Sequence, residues 1–345
     1  MNLHDLGWDD GYAAAFAPYQ QDGLVAARVV AQHRGHYDVL DEHGERRVRV
    51  GGRLRHDASS AAALPAVGDW VAVRGEAIQA VLPRRSAFMR KAASAATEGQ
   101  VLAANLDSIF VVTALNGDLN LRRLERYLTL AWESGASPVI VLTKADLCHD
   151  VGAALLAVEP VAIGVPTYAV SNVTRAGLDQ LEPHLGPART IALLGSSGVG
   201  KSSLANRLAG DELQAIRDIA ADGRGRHTTT SRRLIRLPSG ALLVDTPGLR
   251  ELQLWDADGG LHEAFADVDE LAAGCRFNDC SHAREPGCAV RAALEEGRLP
   301  LSRLQSYRRL QRELERLALR QDARLRSETR KKRAAFARSM RRPSW

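Results

Sequence analysis

Cysteine, aromatic residues and long apolar runs are all scarce in this sequence, and each scarcity closes a class. No stretch approaches the ~18 apolar residues that a membrane-spanning helix needs. Residues 1–20 lack the basic-then-apolar order of a secretory signal, so the expected setting is cytoplasmic, with no membrane partner. Four cysteines in 345 residues are too few for a disulfide framework. Three of them, Cys275, Cys280 and Cys288, crowd together while Cys148 stands apart, which suggests a metal. Acidic residues run short in one place: residues 301–345 hold fifteen Lys and Arg against four Asp and Glu, a local +11 in a chain whose net charge is +5. Clustered cations gain affinity for a polyanion by releasing its condensed counterions; a solvated helical face is the plainer alternative.

What is present reads as modular, since 345 residues suit two or three domains. Residues 1–21 show no clear period and read as a poorly ordered lead-in. From Gly23 to about Arg85 the text is strand-like: Leu24 to Ala31, Tyr37 to Leu40, Arg46 to Val50 and Asp69 to Arg74, with a turn signal at Asp41-Glu42-His43-Gly44. Several short strands here suggest a small β-barrel of the OB type over 22–90. Its Arg28, Arg34, Arg46, Arg47, Arg49, Arg53 and Arg55 suit a nucleic-acid backbone, and Tyr37 or Trp70 offers a base a stacking face. An ordinary β-domain with solvated arginines and core aromatics fits these residues equally well.

Past the Ala- and Ser-rich stretch Lys91 to Gln100, short apolar runs follow at Ile109 to Thr113, Pro138 to Leu142, Thr167 to Val170, Thr190 to Leu194, Leu234 to Leu237 and Ala241 to Val244. Helical stretches such as Leu121 to Ser134 and Lys201 to Leu208 separate several of them. This alternation predicts an α/β domain over 91–255, a mostly parallel sheet with helices on both faces.

Gly195-Ser196-Ser197-Gly198-Val199-Gly200-Lys201-Ser202 follows one of these strands and opens a helix, as a phosphate-binding loop does. Its glycines let successive N–H groups face phosphates, and the helix adds its positive end. Lys201 supplies a cation for the β- and γ-phosphates, Ser202 a hard oxygen for Mg²⁺, and Ser203 completes the run. The strand ending in Asp245-Thr246-Pro247-Gly248 offers a second Mg²⁺ contact through Asp245 and a γ-phosphate-sensing N–H at Gly248. Between them, Gly223-Arg224-Gly225-Arg226-His227-Thr228-Thr229-Thr230 occupies the place of a first switch, with Thr229 the preferred third Mg²⁺ and γ-phosphate ligand.

Phosphate motifs do not choose the base. Thr143-Lys144-Ala145-Asp146 resembles the N-K-x-D motif of GTPases, and the Asp146 carboxylate matches the paired donors of guanine that adenine lacks. Lys144 lays its stem along the base, and Ser171-Asn172-Val173 resembles the loop whose backbone reaches guanine O6. Thr143 stands where an asparagine is usual. Base recognition thus precedes phosphate binding in the chain, the reverse of ordinary small GTPases, so the domain reads as circularly permuted. The implied cofactors are GTP/GDP with Mg²⁺.

Cys275-x4-Cys280-x-His282-x5-Cys288 supplies three thiolates and one imidazole, a closed structural Zn²⁺ set. Leu304, Tyr307, Leu310, Leu314 and Leu317 at helical spacing predict a packed helix from Ser302 to about Arg320, which places a helical zinc module at 256–320 and a basic tail at 321–345.

Together these motifs resemble the RsgA/YjeQ family of GTPases that depend on the small ribosomal subunit. The resemblance covers about residues 22–320 and rests on Val67-Gly68-Asp69-Trp70, the permuted motif order, Gly225-Arg226-His227-Thr228-Thr229, and the cysteine cluster ending in Glu285-Pro286-Gly287-Cys288. It implies an OB domain, a permuted G domain and a zinc domain, acting on the small ribosomal subunit and its rRNA in late maturation; the expected state is a monomer. It also implies hydrolysis stimulated by that particle and coupled to release.

Leu249 follows the Asp-Thr-Pro-Gly turn, where many GTPases place the glutamine that orients the attacking water. His227 is the nearest polar candidate for that task; contact with RNA or steadying of the loop is the competing role. Lys201 and Thr229 complete the expected catalytic set. A P-loop ATPase or kinase would share the loop but leaves Asp146 unexplained. A passive RNA scaffold would keep the nucleotide as a structural ligand.

Overall fold

The computed structural model describes residues 2–91, 99–117, 119–210, 232–245, 261–262, 264–277, 280–283 and 285–312. The expected disordered lead-in is instead ordered: a 3-10 turn, Leu3–Leu6, precedes helix α1, Asp10–Gln21. Asp9 caps α1 by accepting the Gly11 and Tyr12 N–H groups at 3.0 and 3.1 Å. Leu3, Leu6, Tyr12 and Phe16 are buried, and the Trp8 ring meets Trp70 edge-on at 4.7 Å. The signal was the aromatic series Trp8, Tyr12, Phe16 at spacing four, of which Tyr12 and Phe16 share a face of α1 and Trp8 precedes its cap.

That partner is a closed barrel of β1 (Val25–Gln32), β2 (Tyr37–Asp41), β3 (Gly44–Val50), β4 (Trp70–Arg74) and β5 (Ala77–Val81), with helix α2 (Gly52–Asp57) between β3 and β4. The strands pair in the order β1-β2-β3-β5-β4, and β4 returns to β1 to close it. Ala27, Val29, Val39, Val48, Val71, Val73 and Ile78 fill the interior. The Val67-Gly68-Asp69-Trp70 segment is structural throughout. Gly68 has φ +92°, and a Cβ there would fall 2.1 Å from the Ala104 carbonyl oxygen. Asp69 is fully buried and accepts from Arg84 Nε and Nη2 at 2.8 and 2.7 Å.

Three residues proposed for nucleic-acid contact are not available for it. Trp70 and Tyr37 are 1% and 7% exposed, so neither offers a stacking face. Arg28 is buried, its guanidinium donating to the carbonyls of Leu6, Gly68 and Asn105 and to Thr190 Oγ1. Burial pulls its pKa down to about 10, partly offset by Tyr12, Asp107 and Asp69. A single guanidinium thereby ties the N-terminal turn, the barrel and the central sheet together. Arg34, Arg49, Arg53 and Arg55 remain exposed; Arg46 and Arg47 pair with Asp41 and Asp38 at 2.7 and 3.0 Å.

The hairpin β6 (Ala87–Lys91) and β7 (Gly99–Ala104) leads to the central sheet. There β8 (Ser108–Ala114), β9 (Ser137–Thr143), β10 (Thr167–Ala169), β11 (Thr190–Leu194) and β13 (Leu242–Asp245) run parallel, and β12 (Arg232–Arg236) runs antiparallel at the edge. The order is β10-β9-β8-β11-β13-β12. Strand β8 sends Ile109 and Val111 into one core and Phe110 and Val112 into the other, the period-2 pattern of a sheet covered on both faces. Helices α3 (Leu121–Glu133), α4 (Val151–Val158) and α5 (Lys201–Ala209) supply the cover. The free edge of β12 pairs antiparallel with β1, Ala31 opposite Arg233, so sheet and barrel are continuous.

In the C-terminal part, α6 (Ala266–Ala272), α7 (Ala289–Glu295) and the helical residues 301–312, here α8, pack together. Leu304, Tyr307 and Leu310 are buried as their spacing predicts, while Leu314 and Leu317 lie outside the described residues.

Replacing Arg28 by methionine strands acceptors from three segments. Each buried acceptor left without its donor costs about 1–3 kcal/mol, so R28M should lower the urea midpoint markedly. An unchanged midpoint would remove Arg28 from its tying role.

Candidate nucleotide site and metal centre

The parallel strands of the sheet end on one edge, and the chain places its polar motifs there irrespective of their order in sequence. Thr143 closes β9, Ser171 lies two residues past β10, Gly195 follows β11 directly, and Asp245 closes β13. His227, Thr229 and Gly248 lie outside the described residues.

The loop after β11 is built for close backbone approach. Gly195, Gly198 and Gly200 have φ of +155°, +81° and +93°, and a Cβ on Gly195 would sit 2.1 Å from the Val112 carbonyl oxygen. Val199 is buried beneath the loop, while Ser197, Gly198, Ser202 and Ser203 are exposed and Ser196 is half-buried. Lys201 Nζ donates to the Gly195 and Ser196 carbonyls at 2.7 and 2.5 Å, which keeps the ammonium at the mouth of the loop. From α3, the Tyr127 hydroxyl lies 3.2 Å from Ser196 Oγ.

Thr143, where an asparagine is usual, is tied to the loop. Its buried hydroxyl donates to the Val199 carbonyl, joining the end of β9 to the phosphate loop. Asn172 Nδ2 donates to the Gly200 carbonyl at 3.3 Å, and Arg207 Nε in turn holds the Asn172 carbonyl at 2.8 Å. Sequence reading assigned Asn172 only a backbone role, and nothing in the local pattern marks its side chain or Tyr127 as loop contacts. Lys144 adopts a left-handed conformation, φ +59°, that turns the chain out of the sheet. Exposed Asp146 accepts from Ser171 Oγ at 2.5 Å, and that oxygen itself receives the Val173 and Thr174 N–H groups at 3.2 and 3.0 Å. The carboxylate is therefore oriented before any ligand arrives.

A sequence model of the RsgA GTPase family matches residues 81–255. The chain belongs to the RsgA GTPase family. Among its relatives, the small ribosomal subunit biogenesis GTPase RsgA 2 of Lactiplantibacillus plantarum is 52% identical, over 86% of this chain and 85% of that protein. The RsgA of Opitutus terrae is 50% identical over 91% and 90%. Among solved structures, YjeQ from Thermotoga maritima aligns with a TM-score of 0.63 at 27% identity, covering 84% of this chain and 98% of that one. YloQ, described as a circularly permuted GTPase, aligns at 0.62 and 26% identity, over 85% and 95%. An RsgA GTPase binds GTP and hydrolyses it, and the edge described above gathers the glycine-rich loop, the Thr143–Asp146 segment and the end of β13.

The second candidate site is the cysteine cluster. The ligand atoms of Cys275, Cys280, His282 and Cys288 all lie within 4.8 Å of one another. Cys275 Sγ is 3.9 Å from Cys288 Sγ, and His282 Nδ1 is 3.6 Å from each. A tetrahedral Zn²⁺ with ordinary bond lengths requires edges of about 3.8 Å between sulfurs and about 3.6 Å from sulfur to nitrogen, so the donors fit the ion. Surrounding groups hold them in place. Cys288 caps α7, its sulfur accepting the Arg291 N–H at 3.4 Å. Glu285 accepts the Ser281 and Ala283 N–H groups at 3.1 and 2.8 Å, and Arg308 of α8 donates to the His282 carbonyl. Burial, and then the Arg308 charge, hold the His282 pKa below its ordinary value and favour the neutral imidazole that a metal needs.

Thr143→Val keeps the shape of the β9 end and removes its donor to the phosphate loop. A lost buried hydrogen bond of about 1–2 kcal/mol should weaken GDP binding roughly 5- to 30-fold in a fluorescent-nucleotide titration. Unaltered affinity would show that the link does not hold the loop.

Proposed function

We propose that this chain acts in late maturation of the small ribosomal subunit as a GTPase that the particle stimulates, hydrolysis being coupled to release. The observation that carries the reading is the Thr143–Val199 hydrogen bond. It joins a base-reading segment to a phosphate loop that follows it in the chain, within the permuted order of a family whose relatives are named for small-subunit biogenesis.

Within this reading Asp146 takes the guanine N1–H and exocyclic amine, Lys144 covers the base, and Thr143 and Ser171 position these two. Gly195, Ser196, Ser197, Gly198, Val199, Gly200, Lys201, Ser202 and Ser203 embrace the phosphates, with Gly248 reporting on the γ-phosphate. Ser202, Asp245 and Thr229 are the residues to hold Mg²⁺, which when bound offsets charge on the β- and γ-phosphates. Lys201 adds a fixed cation to the same oxygens. With leucine at 249, positioning of the attacking water falls to His227 when the particle is bound. Cys275, Cys280, His282 and Cys288 hold one structural Zn²⁺.

The assigned division of labour keeps the barrel at 22–90, the G domain at 91–255, the zinc module at 256–320 and the basic tail at 321–345. The protein works as a cytoplasmic monomer. Among the described residues no helix is long and apolar enough to cross a membrane. Ribosomal RNA is met by the barrel's exposed Arg34, Arg49, Arg53 and Arg55 and by the tail.

Steady-state GTP hydrolysis, with and without small ribosomal subunits and with Lys201→Ala as the blank, tests the reading. Strong stimulation that fades with added salt is expected. Tight GTP binding without stimulation would instead favour an RNA scaffold with nucleotide as a structural ligand. Purified protein should also carry one equivalent of zinc by elemental analysis. Cys280→Ser should lose most of it and lower the thermal midpoint, and full zinc retention would remove Cys280 from the ligand set.

A further inference from the structure

The turn that joins β1 to β2 carries a second group of metal-binding residue types, within His33-Arg34-Gly35-His36-Tyr37-Asp38, far along the chain from the cysteines. Gly35, at φ +86°, lets the chain reverse through Arg34 and Gly35, and the His33 N–H donates to the His36 carbonyl at 3.0 Å. The ladder sets Gln32 opposite Tyr37, so the next pair outward is His33 and His36. Their rings lie 4.6 Å apart and 15° from parallel. Asp38 follows His36 at the period of a strand face, and its Oδ2 is 2.7 Å from His33 Nε2. We propose that His33, His36 and Asp38 form a second divalent-metal site, of the two-histidine, one-carboxylate kind, separate from the cysteine cluster.

Donor geometry and the contacts behind it supply the argument. One ligand atom from each of the three residues lies within 4.8 Å of the other two. Ordinary bonds to nitrogen and oxygen place neighbouring donors about 3.3 Å apart around a tetrahedral ion, so closing on an ion requires only small side-chain rotations at the end of a hairpin. Arg47 Nε donates to Asp38 Oδ1 at 3.0 Å, which fixes the carboxylate and leaves Oδ2 toward the imidazole, as outer contacts do for ligating carboxylates. Both histidines are half-buried and Asp38 is buried, so the donors are sheltered yet reachable from the turn. A hydrogen-bonded pair would use only His33 and Asp38; the second imidazole beside them makes the group a chelate. Two imidazoles select a borderline ion such as Zn²⁺ or Co²⁺ over Mg²⁺, which favours oxygen. With three protein donors and no thiolate, water fills the remaining positions, and the ion is held more weakly than at the cysteine cluster.

The position gives the site a consequence. Ala31 and Gln32, just before His33, pair with Arg233 and Arg232 of β12. An ion bridging His33 and Asp38 would pin β1 to β2 at the end of the seam where the barrel joins the central sheet.

The test uses the full-length, untagged protein with zinc in its cysteine cluster and Mg²⁺ and GDP bound, titrated with Zn²⁺ in a calorimeter. A second equivalent of micromolar affinity is expected. Outer contacts alone are worth roughly 10- to 100-fold in metal affinity, so His33→Ala and His36→Ala, each removing a ligand outright, should weaken that equivalent by at least as much and leave the first in place. Added Co²⁺ should show the weak visible bands of nitrogen and oxygen ligation, without the charge-transfer absorption of a thiolate. Absence of a second equivalent in the wild type would leave His33 and Asp38 as a hydrogen-bonded pair only and overturn the site. So would a second equivalent that keeps its affinity in either variant, or a thiolate band on the added Co²⁺.

Discussion

A parallel sheet buried on both faces requires only that its strands lie in the right spatial order, and the nucleotide site depends on that tolerance. The order β10-β9-β8-β11-β13-β12 brings the carboxyl ends of β9, β11 and β13 side by side. Whichever strand the chain enters first, the residues after those ends share one edge. Entry at β8 therefore costs the site nothing, although it inverts the order of base and phosphate recognition along the chain. The same opening frees the chain after β13 to continue into the C-terminal module and leaves the barrel attached upstream of β8.

Two local devices adapt this frame. The antiparallel edge strand β12 pairs with β1 of the barrel, so the strand that follows the switch loop is bonded to another module rather than to solvent. Arg28 closes the same junction from inside, joining the N-terminal turn, the Gly68 turn and Thr190 at the start of β11. The barrel is therefore held on the G domain by both a sheet edge and a buried cation, and movement near β12 has a direct mechanical neighbour in β1.

Legibility in the sequence followed the range of the interactions. The strand β11 was delimited at Thr190 to Leu194 as observed, and other strands and helices of the central sheet fell within a residue or two, because apolar period and helix caps are local. The clustering of Cys275, Cys280, His282 and Cys288 was legible because their spacing is short. Tyr37 and Trp70 were left open between a stacking face and the core, and Arg28 was read as exposed on either view; all three are core residues, since a strand shows its alternation but not which face another element will cover. The N-terminal helix escaped notice for the same reason: its aromatic face acquires meaning only against Trp70.

By itself the sequence determined the chemistry available: a glycine-rich loop with a lysine, a carboxylate fit for guanine, a leucine in place of the usual water-orienting glutamine, and a closed set of soft ligands. These follow from residue type and short spacing, which folding cannot alter. Only the tertiary structure decided that Thr143 and Asn172 both bond the backbone of the glycine-rich loop, that Ser171 orients Asp146, and that arginines from α3 and α8 face a common groove. Those relations join residues tens to hundreds of positions apart, and the distances between them are set by packing, on which local sequence carries no information.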